Sequence, residues 1–255
     1  MAMAWSVGRR LFYLGLVVLF FAAIGAIIYS GTRAAPSCSD NKQNQSELDI
    51  DCGGPCARVC PFEVKPLTTV WSRIFNLENG RYDVATFLKN PNRVHATRQL
   101  QYRVRLFDRS GILVTTREAE AFVNPGESLF LYNTRLDVGN RTPERVVFEI
   151  TGGPVWQRVE RTPVPLKAKF KSFTNTPSPL LVANLENSSL TDLSDVQVVA
   201  VLSDEEENAL AISSTLVEKL AKGEEREISF TWPKSLPVEP TFFDFYPHYD
   251  LAKVK

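Results

Sequence analysis

The chain has 255 residues, in which 29 lysines and arginines balance 29 aspartates and glutamates. The first 33 residues contain only basic charges, so the remainder is slightly acidic, with a net charge of about −3. This balance argues against nucleic acid as a partner, because phosphate binding needs a basic surface. Hydrophobic residues make up 44% of the chain and there are 16 phenylalanines, which suffices for folded cores.

An uncharged apolar run begins at Leu11, ends at Ile28 and directly follows Arg9 and Arg10. As a helix it would be roughly 27 Å long, about the thickness of the hydrocarbon core of a bilayer. It predicts a single transmembrane helix over residues 11–30 that contacts the lipid bilayer. The run is longer than the roughly 7–15 apolar residues of a signal peptide, although the small residues that follow leave cleavage open.

The paired arginines predict the orientation of this helix. Basic residues favour the cytoplasmic side, so residues 1–10 are expected in the cytoplasm and the domains after the helix outside the cell membrane.

All four cysteines lie in one short stretch, at Cys38, Cys52, Cys56 and Cys60. Thiols outside the membrane tend to oxidise, so residues 31–61 are predicted to form a small segment with two disulfides. Three pairings are possible. Zinc is a weaker explanation because C-x2-C pairs are absent.

The same stretch is rich in oxygen ligands, which makes a weak calcium site an alternative to simple turn formation. The candidate ligands are Asp40, Asn44, Glu47, Asp49 and Asp51. Their order does not match an EF-hand, and Asp and Asn commonly bond to local backbone in turns. Both interpretations stay open, and no other cofactor is expected.

This stretch resembles a short module of secreted and surface proteins of bacteria, with the pattern C-x-D-x3-N-Q-x-E-x3-D-C-G-G-x-C-x2–3-C. The matching residues are Cys38, Asp40, Asn44, Gln45, Glu47, Asp51, Cys52, Gly53, Gly54, Cys56 and Cys60. The resemblance implies a surface location.

The rest of the chain contains two weakly similar copies of one unit, about 97 positions apart. A strand with a polar turn recurs at residues 84–92 and 181–189, and a Gly-Glu pair recurs at 126–127 and 223–224. A period of this length indicates domain duplication. We predict a mainly β chain with two tandem immunoglobulin-like antiparallel β-sandwiches, residues 62–157 and 166–255.

Residue alternation predicts how the strands are buried. Residues 102–106 alternate between apolar and charged, as in a sheet with one wet face, whereas residues 129–132 are apolar on both sides. The stretch 215–225 is expected to hold an edge strand and a turn. The proline-containing linker, residues 158–165, predicts two sandwiches in series, with Trp156 as a candidate contact between them and Trp232 in the second core.

The copies resemble the immunoglobulin-like FxLYD-type domains of bacterial envelope proteins. The resemblance is in Val104-Arg105-Leu106-Phe107-Asp108 and, in the second copy, Ala200-Val201-Leu202-Ser203-Asp204. It implies a core strand that leads into a turn, with Asp108 and Asp204 capping the turn.

No catalytic signature is present, since His95 and His248 lie outside known nucleophile or metalloprotease motifs. Residues 205–207, all Glu, are expected at a solvated hairpin tip. We therefore predict a non-enzymatic envelope protein that binds or scaffolds other proteins.

The alternative is an accessory subunit of a membrane complex that assembles through its helix. Small residues permit close helix packing. They are Gly15, Ala22, Ala23, Gly25 and Ala26.

Overall fold

A computed structural model describes residues 2–32, 37–77, 80–159, 161, 163–164 and 166–254. The chain divides into two compact units, residues 1–56 and residues 57–255. The first holds an N-terminal helix and most of the cysteine-rich segment. The second holds antiparallel β-sheets, so the predicted mainly β fold class is confirmed.

The N-terminal helix, α1 (Ala2–Thr32), extends beyond the predicted span at both ends. Its segment Arg10–Tyr29 is long and apolar enough to cross a membrane, and none of it is buried against protein. Large apolar side chains are exposed on all sides of this segment, including Leu19 and Phe21. Such a helix has no polar face, which is the composition of a membrane-spanning segment or a signal sequence.

The cysteine-rich segment of the first unit is a succession of turns without a helix or a regular strand in residues 37–56. Left-handed backbone occurs at Asn41, Asp51 and Gly54, among others. A side chain at Gly54 would place its Cβ 2.3 Å from the backbone oxygen of Ser46. Glycine is therefore required there both for its conformation and for the close approach of the two backbone segments.

The second unit begins with a 3-10 turn, Pro61–Glu63, followed by the first sandwich of seven strands. The strands are β1 (Thr68–Asn76), β2 (Arg81–Lys89), β3 (His95–Phe107), β4 (Leu113–Val123), β5 (Ser128–Asp137), β6 (Arg145–Ile150) and β7 (Trp156–Arg158). One sheet has the order β1-β2-β5 and the other β4-β3-β6, with β7 pairing with the start of β3. Leu88, Leu100, Leu106 and Leu129 are among the buried residues between the sheets.

The second sandwich has the same strand order as the first. Its strands are β8 (Lys167–Thr174), β9 (Leu180–Glu186), β10 (Leu193–Ser203), β11 (Ala209–Leu220), β12 (Glu225–Thr231) and β13 (Phe242–His248), followed by a 3-10 turn, Leu251–Lys253. Its sheets are β8-β9-β12 and β11-β10-β13. Strand for strand these match β1-β2-β5 and β4-β3-β6, so the two copies share one topology. Trp232 belongs to the second core, as predicted.

A buried asparagine after the second strand of each sandwich fixes one corner. Asn90 Nδ2 donates to the backbone oxygens of His95 (2.9 Å) and Asn124 (2.8 Å). Asn187 Nδ2 donates to three carbonyls within 3.2 Å, including that of Leu220. In both turns the side-chain amide donates to backbone carbonyls that have no backbone N–H to bond to where the chain turns. The duplicated unit therefore repeats its polar contacts as well as its strands.

The aspartate turns also recur. Asp108 Oδ1 accepts from the backbone of Ser110 and Ile112, and Asp204 Oδ1 accepts from the backbone of Glu206 and Asn208, all within 3.1 Å. Both carboxylates cap the turn that follows their strand, which confirms the role predicted for them.

The two sandwiches lie side by side, which differs from the arrangement in series that the linker suggested. The outer face of the β1-β2-β5 sheet packs on the outer face of the β11-β10-β13 sheet through a cluster we call the seam. The buried members of the seam are Ala85, Phe130, Val199, Val201 and Ile212, and its partly buried members include Trp71, Phe87, Tyr132 and Tyr246. Trp156 is buried on β7 and is not a member. A proline-containing linker favours an extended arrangement of two domains. Burying the apolar outer faces stabilises the side-by-side arrangement by about 25 cal/mol per Å² of apolar surface, which outweighs that preference.

Candidate functional site

The cysteine-rich segment is crosslinked as predicted. Cys38 and Cys56 form a disulfide with a Cα–Cα distance of 5.6 Å. Cys52 and Cys60 are disulfide-bonded as well, and none of the four cysteines is free. A nucleophilic role for a cysteine thiol is therefore incompatible with this state of the chain.

The five candidate calcium ligands are mostly engaged by the backbone of their own turns. The two carboxylate oxygens of Asp51 accept from the backbone of Asp40 and Asn41, each at 2.9 Å. Glu47 Oε2 accepts from the backbone of Asn44 at 3.1 Å. Exposed Asp49 accepts from the next residue. These contacts are those of turn-forming side chains, and calcium binding stays a prediction.

Asp40 completes this network. Its carboxylate accepts from the Asn44 side chain at 2.9 Å and from the backbone of Lys42 at 3.0 Å. The hydrogen bond from Asn44 is the main reason that the pKa of Asp40 is lowered from its ordinary value. The ionised carboxylate is thus stabilised without a metal ion.

One group of potential metal ligands occurs among the described residues. Atoms of Cys38, Glu47 and Cys56 lie within 4.8 Å of one another. Glu47 Oε1 is 3.0 Å from Cys56 Sγ. Because the two sulfurs are bonded to each other, neither is a thiolate that could ligate a metal.

The two histidines have different surroundings. His95 begins β3 and is partly buried, and this burial lowers its pKa. His248 Nδ1 lies 2.7 Å from Glu127 Oε1, and its ring stacks on Phe122 with a centroid distance of 4.0 Å. His248 thus joins the two sandwiches, a contact that no sequence motif indicated.

Aromatic rings form the centre of the seam. The Phe87 and Phe130 rings are stacked with a centroid distance of 4.6 Å, and Tyr246 approaches both edge-on. Trp71 lies 5.1 Å from Phe130. These residues come from both sandwiches, and their packing holds the sandwiches in one orientation.

Hydrogen bonds continue the seam beyond the rings. The Tyr132 hydroxyl donates to the buried carboxylate of Asp83 and contacts the carbonyl oxygen of Ile212 at 3.3 Å. Trp232 Nε1 donates to the same carbonyl at 2.9 Å. Burial and the neighbouring Asp83 raise the pKa of Tyr132, so its hydroxyl keeps its proton as a donor.

Two openings flank the seam. The first is a cavity of about 360 Å³, which we call the seam cavity, with aromatic walls and acidic groups among its lining residues. The second is a wider cleft of about 740 Å³ lined by Arg81, Arg135, Tyr132 and several hydroxyl side chains. The sequence indicated the seam beside these openings only through residues 129–132, which are apolar on both sides of the strand. The burial of Phe130 confirms that this strand is covered on its outer face as well.

A comparison with protein-family models and a search of curated proteins found no match for this chain. The resemblance to FxLYD-type domains and to the cysteine-rich surface module therefore stays a prediction.

Proposed function

We propose that this chain is a membrane-anchored extracytoplasmic protein whose paired sandwiches act as a non-enzymatic protein-binding or structural component of the cell envelope. The observation that carries the proposal is the shared seam. It packs a face of one sandwich on a face of the other, so that the loops and sheet edges of both are presented together, as a binding scaffold needs.

The location has two supports. The exposed apolar helix suits a bilayer, and disulfides persist in oxidising compartments outside the cytoplasm. An N-terminus in the cytoplasm follows from Arg9 and Arg10 by the positive-inside tendency. These arguments are independent of each other, and together they favour an anchor with its folded domains outside.

An exposed sheet edge supports a role in protein binding. Strand β4 (Leu113–Val123) is the terminal strand of its sheet and pairs with β3 within the described residues. Most of its side chains are exposed or partly exposed. An unpaired strand edge of 11 residues can accept a strand from another protein through backbone hydrogen bonds.

The second candidate is an accessory subunit that assembles through α1. It is favoured by the small residues Gly15 and Gly25 within the apolar segment Arg10–Tyr29. Small residues at such positions let another transmembrane helix approach closely.

Purification of the tagged full chain from native membranes in mild detergent tests both candidates. A matched variant carries an unrelated transmembrane helix in place of residues 11–30. We expect a stoichiometric partner to remain bound to both forms. Loss of the partner from the anchor-swapped form would favour the accessory subunit, and absence of any partner from both forms would contradict both candidates.

A further inference from the structure

The seam cavity combines aromatic rings with acidic side chains. Its walls include Trp71, Phe87, Phe130, Tyr246 and Phe242, drawn from both sandwiches. Glu207 and Asp244 are its acidic lining residues and Arg73 its basic one. With two negative charges and one positive charge, the lining has a net negative charge.

Neither of the two carboxylates forms an ion pair with a residue that the structure describes. No ion pair of Glu207 or Asp244 occurs within the described part of the chain, and both side chains are exposed. Partial burial, together with the charge of Glu207, raises the pKa of Asp244. Arg73 lies over Trp71 and is not among the causes that shift this pKa.

A buried hydroxyl also lines the seam cavity. Ser203 is only 5% exposed, and its side chain makes no hydrogen bond in the described ranges of the chain. The hydroxyl is not one of the fully buried unpaired atoms of the described residues, so it faces the cavity and can hydrogen-bond to a group bound there. The volume of about 360 Å³ lies at the small end of the range for ligand pockets.

The aromatic walls already accept one cation. The guanidinium of Arg73 lies over the Trp71 ring, 5.3 Å from its centroid. Aromatic faces attract cations through their quadrupole, and nearby carboxylates add to this attraction. Anions would instead meet the negative lining, and neutral apolar ligands would leave Ser203 and the carboxylates unpaired.

The position of Glu207 strengthens the argument. Glu207 has a left-handed backbone with φ +63°, and Gly111 with φ +78° occupies the matching place in the first sandwich. Left-handed backbone is unfavourable for a residue with a Cβ, and glycine avoids this cost. The second sandwich therefore retains a strained glutamate where its duplicate has the unstrained residue.

We propose that the seam cavity binds a lysine or arginine side chain of a partner protein. The cationic head would lie between Glu207 and Asp244, with its alkyl stem along the aromatic wall and a hydrogen bond to Ser203. This inference rests on the proposed protein-binding function and names the chemistry of the partner.

The test uses full-length protein labelled with 5-fluorotryptophan in detergent, with the Trp71 resonance assigned by Trp71→Phe. The probe is the peptide acetyl-Gly-Lys-Gly-amide, and its Gln analogue is the matched neutral peptide. We expect a saturable shift of the Trp71 resonance with the Lys peptide and none with the Gln peptide. The combined Glu207→Gln and Asp244→Asn changes should weaken binding roughly tenfold or more.

The matched control is Glu206→Gln, which removes a neighbouring exposed charge that does not line the cavity. It should leave the affinity unchanged. Unchanged positions of the other three tryptophan resonances show that each variant is folded. Ser203→Ala removes the hydroxyl of the cavity without changing its charge. No saturable shift, equal affinity in the double variant, or a shift with tetramethylammonium alone would overturn the proposal.

The two proposals fail separately. A partner that co-purifies while the Lys peptide does not bind overturns the cation site alone. Binding of the peptide without any partner in native membranes contradicts the proposed function alone.

Discussion

His248 of the second sandwich is in hydrogen-bonding contact with Glu127 of the first, with 2.7 Å between Nδ1 and Oε1 and both side chains about nine-tenths buried. The other oxygen of Glu127 accepts from the backbone of Asn124 at 2.9 Å. Asn124 in turn donates to the carbonyl of Tyr249 at 2.8 Å. One corner of the first sandwich is thus tied directly to the last strand of the second.

Replacing either member of this pair should weaken the joint between the sandwiches. Glu127→Ala or His248→Ala should each lower the free energy of unfolding by about 1–3 kcal/mol, because the remaining buried group loses its partner. Urea denaturation followed by tryptophan fluorescence measures this. The double variant should cost less than the sum of the two, and strict additivity would contradict a direct coupling.

A surface pair gives the control for that experiment. Glu118 pairs with Arg103 while remaining mostly exposed. Glu118→Gln should change the free energy of unfolding by less than about 1 kcal/mol, as exposed pairs do.

Phe130 should be among the costliest seam residues to truncate. It is 6% exposed and contacts Phe87, Trp71 and Tyr246. Phe130→Ala should lower the free energy of unfolding by about 3–5 kcal/mol, and small-angle scattering should show a larger radius of gyration. Phe62→Ala at a 66% exposed position is the control and should have little effect. Equal unfolding free energies for Phe130→Ala and Phe62→Ala would show that the seam does not contribute to stability.

The corner asparagines should matter equally in the two sandwiches. Asn90→Ala and Asn187→Ala each remove the donor of at least two carbonyls, one in a buried and one in a part-buried hydrogen bond. Each should therefore cost about 2–4 kcal/mol of unfolding free energy. Thermal unfolding measures the loss. Exposed Asn140→Ala is the matched control, and a loss at only one of the two corners would argue against an equivalent role.

Asp108 should make stability depend on pH in the acid range. Backbone hydrogen bonding by Ile112 is the main cause of its lowered pKa, and Arg141, 2.6 Å away, contributes as well. Since the folded chain favours the carboxylate, its stabilising effect is present above the unfolded pKa near ~4 and is lost as pH falls through the lower folded value. The difference in melting temperature between the wild type and Asp108→Asn should therefore shrink below about pH 4. A difference that is constant with pH would contradict the assignment, and Glu206→Gln is the control.

Glu207→Gly should make the protein more stable but poorer at binding the cationic peptide. Glycine relieves the left-handed strain, which should raise the unfolding free energy by about 1 kcal/mol, while the acidic group is lost from the cavity. Gly111→Ala should have the opposite effect on stability, because φ +78° there disfavours a side chain. Chemical denaturation of the three proteins checks both signs, and a destabilised Glu207→Gly variant would show that the conformation is not strained.

Much of the architecture could be predicted from local patterns. The apolar helix, the duplication, the strand and turn of residues 215–225, and the caps at Asp108 and Asp204 all follow from composition and short-range spacing. The two-sided apolar pattern around Phe130 also indicated burial on both faces. These features were accessible because each depends on residues that are close in sequence.

The pairing of the cysteines and the relation between the sandwiches were not accessible in that way. Three disulfide pairings fitted the spacing, and the contact between Cys38 and Cys56 emerged only with the folded turns. No sequence pattern indicated that Trp71 and Tyr246 meet, and residues 205–207 were expected at a solvated hairpin tip.

The sequence by itself determined an apolar N-terminal helix, an oxidised cysteine segment and two β-sandwiches of equal topology, since hydrophobic periodicity and turn residues act locally. Only the tertiary structure decided that the sandwiches pack side by side and that His248 meets Glu127. Such contacts join residues more than 100 positions apart, and which outer faces meet depends on the shape and burial of whole sheets rather than on any single segment.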